Sequence, residues 1–170
     1  MFTEQDTEEL YLLTVGSRDH LRKWLSWLDD FYSLEHSLRY IRRSFESFAS
    51  LGGFPTSFAI VYQGKIAGTI GFNHVSEIHR NASIGYWLGK PYEGKGIMSR
   101  SFPVVVDYGF HRLNLHRIEV RVATENSRSR AIPERFGFTQ EGILREAEKL
   151  GNRYVDHVLY SMLAKEWQKT

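Results

Sequence analysis

Between a strand-like run and a helix-like run the sequence reads Gly89-Lys90-Pro91-Tyr92-Glu93-Gly94-Lys95-Gly96. Two glycines around a lysine let the backbone curl until successive N–H groups point at one spot, and a following helix adds the positive end of its dipole. Such a turn suits a phosphate. The stretch nearly matches the nucleotide loop G-x-x-x-x-G-K, but Gly96 stands where Ser or Thr must hold Mg²⁺. A dinucleotide fingerprint fails as well, because Ser99 replaces the third glycine of Gly94-x-Gly96-x-x-Gly. Taken alone, the glycines fit a plain tight turn as well as a phosphate site.

Other residues carry chemistry further along. Glu146 and Glu148 sit in a strand-like run, where period-two alternation puts both on one face and Arg145 and Lys149 on the other. A carboxylate there could take a proton from an amine, directly or through water, or bind a cation; the alternative is a solvated edge face. His111 and His116 share a stretch with no further ligand at metal spacing and read as helix-end histidines. His74 and His79 flank a loop that could line a substrate cleft, and Asp29-Asp30 with Glu35 forms a solvated face or a contact for a basic acceptor. The chain has no cysteine, which excludes disulfides, thiolate nucleophiles and Cys-based zinc sites. No metal is expected.

These residues need a frame. The 170 residues, 42% apolar and 25% charged, make about one domain, expected over residues 1–170, and are too apolar for disorder. No uncharged run reaches the 18 or so residues of a membrane span. A net charge of +2 gives no electrostatic footprint for nucleic acid as a main partner, although it leaves room for local patches. The acidic opening Met1-Phe2-Thr3-Glu4-Gln5-Asp6 lacks the apolar core of a secretion signal, so a cytoplasmic protein is expected.

Residues 3–50 read as helical. Leu10, Leu12 and Leu13 share one segment; Leu21, Trp24, Leu25 and Leu28 recur at i, i+3, i+4, i+7; Ser33 could cap a third segment carrying Leu34, Leu38, Ile41, Phe45 and Phe48, which Gly52-Gly53 stops. Trp24, Trp27, Phe31 and Tyr32 thicken one patch, either core or the wall of a ligand cleft. From Thr56 the period changes. Strands are expected at 57–62 and 66–72, joined by a Gln63-Gly64-Lys65 hairpin turn, and at 82–88, 117–122, 142–149 and 154–163. Helices are expected at 97–112 and 127–136, with Pro103 and Pro133 inside them.

With these elements placed, the sequence resembles the GNAT superfamily of acetyl-CoA-dependent N-acetyltransferases, and within it the RimJ/RimL-like ribosomal-protein acetyltransferases. The resemblance rests on Ile84-Gly85-Tyr86-Trp87-Leu88, on Tyr92-Glu93-Gly94-Lys95-Gly96-Ile97-Met98-Ser99, and on Asn126-x-x-Ser129 with Glu134-Arg135-Phe136-Gly137-Phe138. Glu141-Gly142 through Glu148 to Asp156 and Tyr160 extend it, so that residues 56–164 are covered. Two departures stand out. Pro91 occupies the place of a Gln or Arg three residues before the first motif glycine, and only Met1-Phe2 precede the helical signal where the family opens with a strand. That strand is expected to be rudimentary or missing.

The resemblance implies an α/β (α+β) fold: one mixed, mostly antiparallel sheet with two splayed parallel strands, flanked by helices. It implies acetyl-CoA as cosubstrate, its pantetheine arm lying between the strands that end near Leu88 and Ala123. Backbone groups at Trp87 and Leu88 would hold the arm and polarise the thioester. The amides of Gly94, Lys95, Gly96, Ile97, Met98 and Ser99 would take the pyrophosphate, and Asn126 would bind near the thiol end. Glu148 would be the base, with Glu146 an alternative, and Ser129 the group at the leaving thiolate. A hydroxyl near pKa ~15.7 cannot readily protonate a thiolate near ~8.5, a gap on the order of 10 kcal/mol. Ser129 is therefore expected to donate a hydrogen bond or relay a proton. The acceptor implied is a protein N-terminus, a ribosomal protein by family; a small amine (polyamine, amino acid or antibiotic) and a non-catalytic acyl-CoA-binding module are the alternatives.

Overall fold

The change of hydrophobic period at Thr56 falls where helices give way to strands in a computed structural model describing residues 1–28, 32–50 and 52–167. By internal contacts the chain divides into two units. One holds Met1–Gly71 and Tyr86–Ile97, the other Phe72–Gly85 and the chain from Met98 onward.

The first unit opens on a single 3-10 turn, Glu4–Asp6, followed by α1 (Thr7–Gly16), α2 (Arg18–Leu21) and α3 (Leu34–Ser50). Asp6 closes the first turn by accepting the Thr3 N–H at 2.7 Å. No strand precedes these helices among the described residues. Phe2, fully buried, instead joins Leu10, Ile41 and Ile66 in the core. One expected helix is shorter than its spacing suggested: α2 ends at Leu21, and residues 22–28 continue as turns bonded from Trp24 and Leu25 back to Leu21. Trp and Ser are middling helix formers, so burial of Leu21 and Leu28 through turns overrides the local period. Ser33 does sit at the start of α3, its hydroxyl 2.8 Å from His36 Nδ1. Gly52 and Gly53 follow the helix at φ +64° and +85°, and the Gly53 N–H closes on the Phe48 carbonyl. β1 (Ser57–Tyr62) and the start of β2 (Lys65–Ser76) pair antiparallel across Gln63 and Gly64, both at positive φ. The hairpin is where the sequence places it, but its turn is two residues long rather than Gln63-Gly64-Lys65, because Lys65 already pairs with Tyr62 as the first residue of β2.

The strands run in the order β1-β2-β3-β4-β6-β5, with β3 (Asn81–Leu88), β4 (Arg117–Ala123), β5 (Thr139–Leu150) and β6 (Arg153–Leu163). Within the second unit β3 pairs parallel with β4 over Asn81–Ser83 against Arg117–Glu119, and β6 pairs antiparallel with both β4 and β5. The mixed, mostly antiparallel sheet with one parallel pair is thus the one expected. α4 (Ile97–His111) and α5 (Ser127–Arg135) keep Pro103 and Pro133 inside them. Phe102 of α4 is fully buried between Phe136 and Phe138, with ring centroids 5.6 and 5.4 Å away.

One ion network ties β4, β6 and β5 together. Arg117 holds Glu141 bidentately at 2.6 and 2.5 Å and Glu119 at 3.0 Å, and the Ser161 hydroxyl donates to Glu141 at 2.7 Å. The guanidinium, then the hydroxyl, hold the Glu141 carboxyl down to about 2. A carboxyl with a lowered folded-state pKa stabilises the fold above its unfolded value and loses that contribution as pH falls. Melting temperature should therefore drop between about pH 4.5 and pH 2 more steeply in the wild type than in Glu141→Gln. Above that window the variant should be less stable by at most about 1 kcal/mol, because the pair is open to solvent. Parallel melting curves would rule the contribution out.

Candidate active site

Within the first unit, backbone proximity fixes the end of β3. A Cβ at Gly68 would lie 2.1 Å from the Trp87 carbonyl oxygen and 2.8 Å from Leu88 Cα. Only glycine lets β2 pass this close to the end of β3. The Gly89 N–H then donates to the Ala67 carbonyl at 2.8 Å, fixing where the chain leaves the strand. Gly89 itself abuts α1, since a Cβ there would meet Leu13 Cδ1 at 2.3 Å. Lys90 begins a 3-10 turn, Lys90–Tyr92, with its N–H on the Ser17 hydroxyl at 3.0 Å.

The glycine turn follows. Gly94 and Gly96 take φ +72° and +67°, and α4 starts at once at Ile97. The first N–H groups of a helix have no partner within it, so the turn presents donors together with the positive dipole end. This is anion-binding geometry made of backbone donors. Lys95 places its ammonium over the rings of Tyr62 and Tyr92, 5.7 and 5.5 Å from their centroids, a cation–π placement. Glu93 is held by His20 Nε2 at 2.6 Å and Lys90 Nζ at 3.2 Å.

The aromatic patch is not all core. Trp27 is 47% exposed and lies 5.6 Å from Tyr32 and 6.4 Å from Trp87 between ring centroids. Phe31, Asp29 and Asp30 lie outside the described residues.

In the second unit Met98 is buried and the Ser99 hydroxyl accepts from Arg135. Asn126 caps α5, its side-chain oxygen accepting the Ser129 N–H at 3.2 Å. That bond sets the direction in which both residues leave the helix start. Behind it, Tyr160 donates to Glu134 at 2.6 Å and accepts from Arg130, which also donates to the Thr124 carbonyl. The motif residues Tyr160 and Glu134 are thereby explained as anchors of α5. Burial raises the Tyr160 phenol above its ordinary value, which keeps it a neutral donor.

β5 departs from expectation. Leu144 pairs with His157 and Glu148 with Val155, so four steps on β5 answer two on β6. Glu146 sits in this bulge at φ +48°, its N–H on Asp156 Oδ1 at 2.8 Å. The alternation that put Glu146 and Glu148 on one face, with Arg145 and Lys149 opposite, does not survive the extra residues. Glu148 finds a partner the sequence did not suggest: its Oε2 lies 3.1 Å from Nε2 of His157, a largely buried side chain. That approach is close but poorly aligned, and the buried Nε2 makes no well-formed hydrogen bond. His157 pairs in register with Ala123, the last residue of β4. Glu148, His157, Ala123 and the Asn126–Ser129 cap thus all belong to the second unit.

Other histidines of the second unit have their own local settings. His111, at the end of α4, contacts Asp107 at 3.1 Å, a carboxylate four residues back that the sequence reading passed over. His74 takes φ +52° in β2, and the His79 N–H closes on Ser76. Among the described residues no cluster of three His, Asp or Glu could hold a metal ion. Gly68 in the first unit and His157 in the second are candidates that sequence reasoning missed. An isolated glycine inside a strand pattern signals the first; nothing local signals the second.

The chain is similar to known proteins over most of its length. A model described as an acetyltransferase (GNAT) domain matches residues 1–139. The Bacillus subtilis (strain 168) protein YdaF is 33% identical over 165 residues, 96% of this chain and 89% of that one. The structure of RimL, described as a ribosomal L7/L12 alpha-N-protein acetyltransferase in complex with coenzyme A, superposes with TM-score 0.88 at 27% identity, covering 95% of this chain and 90% of that one. The microcin C7 self immunity acetyltransferase MccE, in complex with acetyl-CoA and AMP, superposes with TM-score 0.85 at 29% identity, covering 95% and 88%.

Proposed function

Because the chain belongs to the GNAT acetyltransferase family, we propose that it moves the acetyl group of acetyl-CoA to the α-amine of a protein N-terminus, a ribosomal protein being the acceptor its relatives suggest. The observation that carries the acceptor is the likeness to an alpha-N-protein acetyltransferase over 95% of the chain. We place this activity in the cytoplasm; among the described residues no helix is long and apolar enough to cross a membrane.

The roles are assigned residue by residue from the family resemblance and the local geometry. Trp87 and Leu88, set by Gly68, offer backbone groups to the pantetheine arm and the thioester carbonyl. The amides of Gly94 to Ser99 take the pyrophosphate. Asn126 orients Ser129, which hydrogen-bonds the sulfur as it becomes a thiolate. The neutral amine attacks and Glu148 takes the proton that its nitrogen sheds as the N–C bond forms, with His157 Nε2 3.1 Å from the carboxylate. The amine nitrogen bonds to the carbonyl carbon, the C–S bond breaks, and the thiolate leaves toward Ser129. No enzyme nucleophile is required, which agrees with a chain lacking cysteine.

The proton chemistry favours the α-amine. Its pKa of about 7.7–8.0 leaves roughly a third neutral at pH 7.5, whereas a lysine amine near 10.4 is neutral to about one part in a thousand. Peptides with a free N-terminus should be acetylated at least about tenfold faster than the same peptides blocked at the N-terminus but carrying lysine. Their rate should flatten above about pH 8.5, once the amine is deprotonated. Mass spectrometry placing the acetyl group on lysine, or turnover with small amines alone, would move the protein to the small-amine reading.

A further inference from the structure

Glu93 poses an electrostatic problem: it puts a carboxylate directly before the two glycines of the anion-binding turn. A dianionic pyrophosphate bound there would be repelled by a free carboxylate at this range, and only partly screened by salt. The side chain, however, is turned onto two partners. His20 of α2 contacts Oε1 at 2.6 Å, and Lys90, within the preceding 3-10 turn, contacts Oε2 at 3.2 Å. Both His20 and Glu93 side chains are three-quarters buried, so this is not a loose surface pair. The turn is also docked on the same helices through the Lys90 N–H to Ser17 and through Gly89 against Leu13.

We propose that His20 and Lys90 form a charge clamp that makes the glycine turn fit for the cofactor's pyrophosphate. His20 draws the Glu93 carboxylate back toward α2, and Lys90 neutralises it. His20 is thus a positioning residue for cofactor binding, acting through Glu93, and the N-terminal helices have a part in that binding without touching the phosphates. The proposal rests on the turn being the pyrophosphate site, and Gly94→Val tests that premise separately.

The test is acetyl-CoA binding by calorimetry to the full chain and three variants. Releasing the carboxylate in His20→Ala should weaken binding about 5- to 20-fold at low salt, with the deficit shrinking at 0.5 M salt or above as the charge is screened. His20→Ala/Glu93→Gln, which removes the charge that His20 restrains, should restore near wild-type affinity. A purely structural role for His20 would leave the double variant as weak as the single one and the deficit indifferent to salt. Either that result or unchanged affinity in His20→Ala overturns the proposal. If Gly94→Val binds as tightly as wild type, it is the premise that fails instead.

Discussion

Glu148→Gln is expected to lower turnover by about 10²- to 10⁴-fold, the range for loss of a positioned base, with acetyl-CoA affinity nearly unchanged. The carboxylate lies on β5 against His157, in the second unit, and is assigned to the amine rather than to the cofactor. Glutamine keeps the volume and one acceptor oxygen but cannot take a proton at neutral pH. Ser129→Ala should cost less, about 10- to 100-fold, because a hydroxyl only donates a hydrogen bond to a departing thiolate of lower pKa. His157→Gln should fall between wild type and Glu148→Gln, and the double variant should be no worse than Glu148→Gln, since both residues act on one proton. Stopped assays of thiol release, with the acceptor saturating, separate these cases. Wild-type rates in Glu148→Gln would hand the role to Glu146 or to water.

Whether Glu146 is a fair substitute depends on a feature of β5 that local pattern does not carry. Arg145-Glu146-Ala147-Glu148 reads as plain alternation, and β-structure with period two follows from it. The bulge comes from tertiary context: Asp156 on β6 captures the Glu146 N–H and the ladder reopens only at Glu148. Contacts between residues distant in sequence are invisible in the same way. His157 reaches Glu148 across a strand pair, and His20 reaches Glu93 across more than seventy positions. Elements bounded by short-range chemistry were legible, by contrast. The Gln63-Gly64 turn, the Gly52-Gly53 stop and the Ser127 start of α5 are each decided by backbone preferences of the residues themselves. The tryptophan-rich stretch after α2 lies between these cases: its spacing was helical, but burial of Leu21 and Leu28 is met by turns.

Gly94→Val should weaken acetyl-CoA binding at least about 100-fold, from the cost of a β-branched residue in left-handed backbone or of a turn rebuilt to avoid it. The position isolates backbone geometry from crowding. Gly94 sits at φ +72°, and a Cβ built there meets no protein atom within 4 Å. Packing therefore does not forbid valine; the φ angle does. If the turn relaxes to negative φ, the N–H groups between Gly94 and Ile97 swing away from a common focus, and the pyrophosphate loses donors that no side chain replaces. Pro91 supplies none, having no N–H, and the Lys95 ammonium is already placed over Tyr62 and Tyr92. Lys95→Ala should accordingly weaken binding only a few fold, as loss of a screened surface charge does. Gly68→Ala makes the contrasting case. Its Cβ must displace the Trp87 carbonyl and the Leu88 backbone, so thermal stability should fall together with turnover, and further than in Gly94→Val, whose strain is confined to one exposed turn. Calorimetry on the two variants beside their melting curves distinguishes the effects, and tight acetyl-CoA binding by Gly94→Val would remove the turn from the binding site.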